Sequence, residues 1–173
     1  EGFKDKYELN DKFIVSFAGT MGYSQDLDIV LEAADRLRDR EDILFLLVGG
    51  GLEKERLQQK KVEMDLENVK FLPMQPREEY PKVLKASDIS LVTLKSSVET
   101  PVVPSKLLSI MASGTPVLAS MNLEGDAPQV INESDCGYCV PAGDVEEFSK
   151  YLEKLYNNED LRKRKGENGR KYV

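Results

Sequence analysis

Three short stretches of this 173-residue chain carry residues suited to holding an anion. The first is Gly19-Thr20-Met21-Gly22, where glycines permit close approach to the backbone and positive φ. A glycine-rich turn without a ligand would read the same way. The second is Gly49-Gly50-Gly51. Three successive glycines are entropically unfavourable to order, which favours a ligand, although a helix-start turn is equally compatible. The third runs from Lys95 to Lys106 and closes with Pro104-Ser105-Lys106. A helix starting there would offer free N–H groups and a lysine ammonium to a diphosphate. Proline in a first helical turn is also ordinary punctuation.

Other chemistries are excluded or disfavoured. The chain has no histidine, which removes histidine triads, histidine proton shuttles and histidine-ligated metal. Neither GxGxxG nor GxxxxGK[ST] is present, so a dinucleotide fingerprint and a P-loop are both missing. Cys136 and Cys139 form a C-x-x-C pair, a spacing that can lower a thiol pKa. A redox pair opens a helix, whereas Tyr138–Val140 and Pro141 predict Cys139 in a strand. Two cysteines also cannot complete a four-ligand zinc site. With 24 basic and 31 acidic residues the net charge is −7, the wrong sign for gripping nucleic acid. The longest apolar run, Ile43–Val48, is far short of the ~20 residues that span a bilayer, and the charged N-terminus lacks the apolar segment of a signal peptide.

Alternating patterns set out what must position those loops. Apolar runs predict strands at Phe13–Ala18, Ile43–Val48, Val69–Leu72, Ile89–Thr93, Pro116–Ala119 and Tyr138–Val140. Between them, helical patterns fall at a segment N-capped by Ser24 with the stripe Leu27, Val30, Leu31, Ala34 and Leu37, then Glu53–Met64, Glu78–Lys85, Pro104–Ser113 and Ala127–Glu133. Two more follow at Asp144–Tyr156 and Glu159–Lys171. Six strands alternating with helices, several apolar throughout, predict a doubly wound parallel α/β sheet, Rossmann-like, in a single domain over residues 1–173. Such a sheet binds ligands outside the carboxyl ends of its strands, where all three loops fall.

The stretches FAGTMGYSQDLDIVLEAADRL, FLLVGGGLEKERL, NVKFLPMQPREEYPKVLKASDISLV, PSKLLSIMASGTPVLAS and CGYCVPAGDVEEFSKYLEKL together resemble the C-terminal domain of group 1 retaining glycosyltransferases of GT-B fold. The resemblance runs in order over nearly the whole chain, and Met111–Val117 is its most specific block. It implies one half of a GT-B fold, holding a nucleoside-diphosphate sugar, with an N-terminal acceptor domain and a last helix outside this chain. It also implies metal-independent chemistry with no cofactor.

Carried over residue by residue, the resemblance is uneven. Gly19 stands at the family glycine, but Thr20 and Gln25 replace the family's diphosphate-binding arginine and lysine. Ser109 and Pro101 stand where two glutamates belong, with Glu99 close but out of register. The Pro104-Ser105-Lys106 helix start is similar to a branch that transfers N-acetylated amino sugars to O-antigens and capsules. There Lys106 would replace the missing charge and Ser105 would donate to a phosphate oxygen. The base would lie against Leu72-Pro73-Met74 and the ribose near Ser109. The resulting expectation is a UDP-sugar site formed by Gly19, Thr20, Gly22, Gln25, Gly49, Gly50, Leu72, Met74, Pro104, Ser105, Lys106 and Ser109. Lys106 and Glu99 are the catalytic candidates, and backbone N–H groups of Gly19 and Gly22 would meet charge developing on the β-phosphate.

The function implied is retaining transfer of a sugar to a glycan or lipid-linked acceptor. The chain alone would be inactive without its acceptor domain, since proximity supplies much of the barrier reduction. The implied location is cytoplasmic, peripheral at the inner membrane face in the whole protein. Two alternatives share the fold: a catalytically degenerate partner or regulatory domain, motivated by the four replaced positions, and a sugar-nucleotide epimerase, disfavoured by the lack of histidine.

Overall fold

The structure is a computed structural model that describes residues 2–98 and 103–173. Glu99 and Pro101 lie outside the described residues. Six strands form one parallel sheet: β1 Phe13–Ala18, β2 Ile43–Val48, β3 Val69–Leu72, β4 Ile89–Thr93, β5 Val117–Met121 and β6 Gly137–Pro141. Their order is β3-β2-β1-β4-β5-β6. β1 pairs with β2 over its full length, Phe13 with Ile43 to Ala18 with Val48, and with β4 at Val15–Ile89 and Ser16–Ser90. The strand order reverses between β1 and β4, which makes the crevice above them the topological switch point.

Among the described residues, eight α-helices connect and cover the strands: α1 Gly2–Lys6, α2 Asp28–Arg36, α3 Lys54–Glu63, α4 Tyr80–Ala86, α5 Ser105–Ser113, α6 Asp126–Ser134, α7 Val145–Tyr156 and α8 Glu159–Tyr172. The period-2 alternation of each strand divides its side chains between two covered faces. Val15, Phe17, Phe45 and Leu47 pack beneath Val30 and Ala34 of α2 and Phe148 and Leu152 of α7. Ile14, Leu44, Leu46 and Val48 face the other way, against Phe3, Leu9 and Val83. Farther along that face Val92, Val117 and Ala119 meet Leu107, Ile110 and Met111 of α5. β2 is covered on both sides along its whole length, which is why ILFLLV shows no alternation. Each such Leu or Phe contributes about 1.5–3 kcal/mol by leaving water.

The expected strands and helices are present, with differences at their ends. Ser24 does not cap α2. Tyr23–Gln25 make a short 3-10 turn, Asp26 takes a left-handed conformation at φ 50°, and the helix begins at Asp28. The Glu78 helix start is likewise a 3-10 turn, Arg77–Glu79, followed by α4 with a proline in its first turn. α1 has no counterpart in the sequence pattern, because five residues are too few to show a period; Phe3 alone anchors it. Asp144 and Asn158 cap α7 and α8, accepting from the N–H groups of Glu147 at 3.1 Å and Leu161 at 3.0 Å.

The C-x-x-C pair is not at a helix start. Cys139 lies inside β6 and Cys136 is buried just before it, both as free thiols. Burial pushes both thiols up, Cys139 to about 12, so the reactive thiolate is suppressed at neutral pH.

Candidate functional site

The loops after β1 and β2 are knitted together backbone to backbone. Gly19 N–H donates to the Val48 carbonyl at 2.9 Å, Met21 N–H to that of Gly50 at 2.7 Å, and Glu53 N–H to that of Met21 at 3.0 Å. A Cβ on Gly49 would stand 1.8 Å from the Gly19 carbonyl oxygen, so no other residue fits there. Both backbone groups of Gly49 are engaged: its N–H donates to the Leu72 carbonyl at 3.1 Å and its carbonyl accepts from Lys54 Nζ at 2.8 Å. The triple glycine thus has a packing reason that the sequence left undivided from a binding one. Gly19 N–H, expected to face a phosphate, belongs instead to the sheet ladder. The N–H groups of Thr20 and Gly22 have no protein partner among the described residues.

Gly19 has another use. Its missing side chain makes room for Lys106, whose Nζ comes within 2.9 Å of where a Cβ would be. That ammonium lies 3.7 Å from the centroid of the fully buried Phe17 ring, a cation–π contact at the end of β1. Burial lowers Lys106 to about 8, and among the described residues no carboxylate lies within ion-pair distance of it. A lysine in the first turn of a helix opposes the helix dipole, so its position is not explained by helix stability.

α5 adds to the charge. Pro104 precedes it in extended conformation without a side-chain cap, and Leu107 N–H turns back to the Pro104 carbonyl at 3.1 Å. The N–H groups of Ser105 and Lys106 are left open at the positive end of the dipole. Ser109 follows one turn later. Gly19, Ser105, Lys106 and Ser109 line a cavity of about 240 Å³ walled by Tyr80 and Leu84. A larger groove, about 640 Å³, is lined by Tyr7, Lys82 and Asp88 at the amino end of β4, the wrong end of the sheet for a switch-point ligand.

Thr20, Gln25, Leu72 and Met74, also expected at the site, are not among the residues that line this cavity. Thr20 is exposed on the β1 loop. Gln25 reaches Ser24 Oγ at 3.4 Å, and its carbonyl accepts from the Thr93 hydroxyl. At the β2–β3 end, Leu72 is buried and its carbonyl is taken by Gly49 and by Lys54 Nζ at 3.1 Å. The Pro73 carbonyl is taken by Gln75 Nε2 at 2.9 Å. Pro73 and Met74 are exposed, Met74 to 59%, with its methyl 3.8 Å from the position of a Cβ on Gly50.

Sequence reasoning missed three residues here. Lys54 clamps the ends of β2 and β3, and its signal was a cation in a helix's first turn. Lys95 donates its N–H to the Ser24 carbonyl at 2.9 Å, with its ammonium 3.2 Å from the Tyr23 ring centroid. Tyr80 walls the cavity, and nothing in its sequence context marks it. Among the described residues, no three His, Cys, Asp or Glu side chains group as a metal site would require.

A parallel sheet whose switch point gathers an uncapped helix N-terminus and a lysine is a setting for a phosphorylated ligand, and the sequence comparison names the family. The pattern described as "Glycosyl transferases group 1" matches residues 1–172. The chain belongs to the group 1 glycosyltransferases. Among curated relatives of this glycosyltransferase domain, the putative colanic acid biosynthesis glycosyl transferase WcaI of Escherichia coli is 39% identical over 115 residues, covering 66% of this chain and 28% of WcaI. The capsular polysaccharide biosynthesis glycosyltransferase CapM of Staphylococcus aureus is 26% identical over 98% of this chain and 44% of CapM. The chain therefore spans less than half the length of either.

Solved structures of GT-B glycosyltransferases share the fold. HepE of Anabaena in complex with UDP superposes with a TM-score of 0.86 at 19% identity, over 98% of this chain and 46% of HepE. WaaG, involved in lipopolysaccharide biosynthesis, gives 0.82 at 19% identity, over 98% of this chain and 45% of WaaG. The curated relatives WcaI and CapM are named as glycosyltransferases and lend no support to an epimerase or to a degenerate partner domain. Among the described residues, no helix is long and apolar enough to cross a membrane.

Proposed function

We propose that this glycosyltransferase domain binds the donor, a UDP-linked sugar, for retaining transfer to a glycan or lipid-linked acceptor. The observation that carries this reading is the Lys106 ammonium seated in the gap left by Gly19, directly beside the open N-terminus of α5. The complex of HepE with UDP and the polysaccharide relatives support the choice of ligand and pathway class.

The chemistry follows from charge. As the bond from the anomeric carbon to the diphosphate oxygen breaks, negative charge grows on the β-phosphate. Lys106 and the N–H groups of Ser105 and Lys106 meet that charge where it develops, preorganised and partly shielded from water. Thr20 and Gly22 N–H groups add donors at the rim. Ser109 faces the ribose, and Met74 offers an apolar platform to the base. Gly50 and Pro104 shape the backbone there, while Gln25 holds the β1 loop to β4 through its carbonyl. Glu99, the second catalytic candidate, lies outside the described residues. An N-terminal acceptor domain completes the enzyme at the inner face of the membrane, and no metal takes part.

Saturation-transfer NMR with UDP, GDP and ADP tests the reading. The expected result is uridine signals for UDP that weaken at least about tenfold in Lys106→Ala. Equal UDP binding by Lys106→Ala would place the diphosphate elsewhere.

A further inference from the structure

A nucleoside diphosphate brings two to three negative charges, and Lys106 with one helix N-terminus offsets only about one and a half. The sheet's carboxyl end presents two other lysines. Lys54 directs its ammonium to the carbonyls of Gly49 and Leu72, and is committed to holding those loops. Lys95 is differently placed. Its backbone N–H anchors it to Ser24, so the β4 loop closes over the β1 loop at the switch point. Its ammonium rests on the ring of Tyr23, a residue 72% exposed in the turn after β1, and Lys95 itself is half-buried. A ring can hold a cation in place without neutralising it. Among the described residues, no carboxylate oxygen lies within 4 Å of Lys95; Asp26 is the acid whose titration it influences.

We propose that Lys95 is a second diphosphate-binding residue, on the opposite wall of the switch-point crevice from Lys106. The inference rests on the donor-site reading and deepens it. Charge absent from the β1 loop, where Thr20 and Gln25 are neutral, is supplied from the β4 loop through Lys95. Tyr23 sets the height of that ammonium above the loop.

The test compares UDP, inorganic pyrophosphate and uridine binding to the 173-residue chain by calorimetry and NMR titration. Lys95→Gln is expected to weaken UDP and pyrophosphate about tenfold while uridine is unchanged. Tyr23→Leu is expected to weaken both about threefold. Adding Gln25→Lys to Lys95→Gln returns a cation to the adjoining loop and restores most of the lost affinity. Pyrophosphate binding by Lys95→Gln equal to wild type, with loss in Lys106→Ala, would overturn the Lys95 assignment and leave the donor site standing. A loss of uridine parallel to that of UDP would also overturn it, because the effect would then be structural. Pyrophosphate binding that depends on both lysines without preference for any nucleoside would uphold Lys95 and sink the UDP-donor reading.

Discussion

Two corners of this domain are built alike and serve different ends. At the carboxyl end of the sheet, Gly49 presses against the Gly19 carbonyl, and Lys106 lies over Phe17. At the corner between α5 and α8, Gly166 presses against the Gly114 carbonyl, where a Cβ would stand at 2.0 Å, and Lys165 lies 4.7 Å from the Tyr138 ring centroid. Each corner joins a glycine–backbone contact to a lysine on an aromatic ring. The difference is the counterion. Lys165 is ion-paired with Asp135 at the end of α6, so its charge closes the structure. Lys106 has no carboxylate partner among the described residues, and burial lowers it to about 8. A half-buried cation with no anion partner among the described residues is placed to receive one from a ligand.

The largest effects should appear where the corners are alike. Gly49→Ala and Gly166→Ala each put a Cβ inside a carbonyl's contact distance, and each should cost about 3 kcal/mol, a loss of about 6–12 °C in Tm by calorimetry. Gly166 is the more telling, because alanine in a helix interior ordinarily stabilises by about 1 kcal/mol. A stability gain there would dissolve the structural half of the comparison.

The lysines should then separate the corners. Lys165→Ala is expected to lower stability by about 2 kcal/mol, less than for a fully buried pair because Asp135 is largely exposed, and to leave UDP binding intact. Lys106→Ala should do the reverse, losing UDP with stability unchanged or raised. Urea denaturation beside UDP titration reads both. Loss of stability in both variants would mean that Lys106 is a structural lysine as well.

A pH series sharpens the same point. Lys106 near 8 lies below the unfolded value of about 10.4. Between those values the unfolded chain holds more protons, so this residue's contribution to stability rises with pH from about 8 to 10. Below 8 both states are protonated and the burial penalty is fully present. Wild type should therefore gain stability between pH 7 and 9.5 relative to Lys106→Met. A diphosphate favours the charged form, so UDP binding at pH 8.5 should take up protons, seen as buffer-dependent enthalpy in calorimetry. Buffer-independent enthalpy would remove Lys106 from the ligand.

The smallest effect belongs to Asp135. Asp135→Asn keeps a residue that tolerates its left-handed conformation at φ 57° and removes the charge. About 1 kcal/mol of stability should go, because the new amide oxygen can still accept from the buried Lys165 ammonium, with no change in UDP affinity, read from the same denaturation curves.

Legibility in the sequence was uneven for physical reasons. The strands could be read because burial on both faces demands unbroken apolar runs, as in Ile43–Val48. The Pro104-Ser105-Lys106 start could be read because proline and an uncapped first turn leave a local signature. Ser24 misled, because a serine before an apolar stripe is a cap only if the chain turns there, and Asp26 moved the helix start. The triple glycine was ambiguous because a glycine needed for a ligand and one needed for a neighbouring backbone look the same along the chain.

Residue order alone therefore determined the alternation of strands and helices, the doubly wound class and the sheet end that carries the loops. Those properties depend on periodicity and local stereochemistry. Only the tertiary structure decided that Gly19 N–H belongs to the sheet ladder, that Lys106 fills the space beside Gly19, and that Lys95 faces the β1 loop. Those contacts join residues about 30 to 90 positions apart, and their distances exist only once β1 lies between β2 and β4.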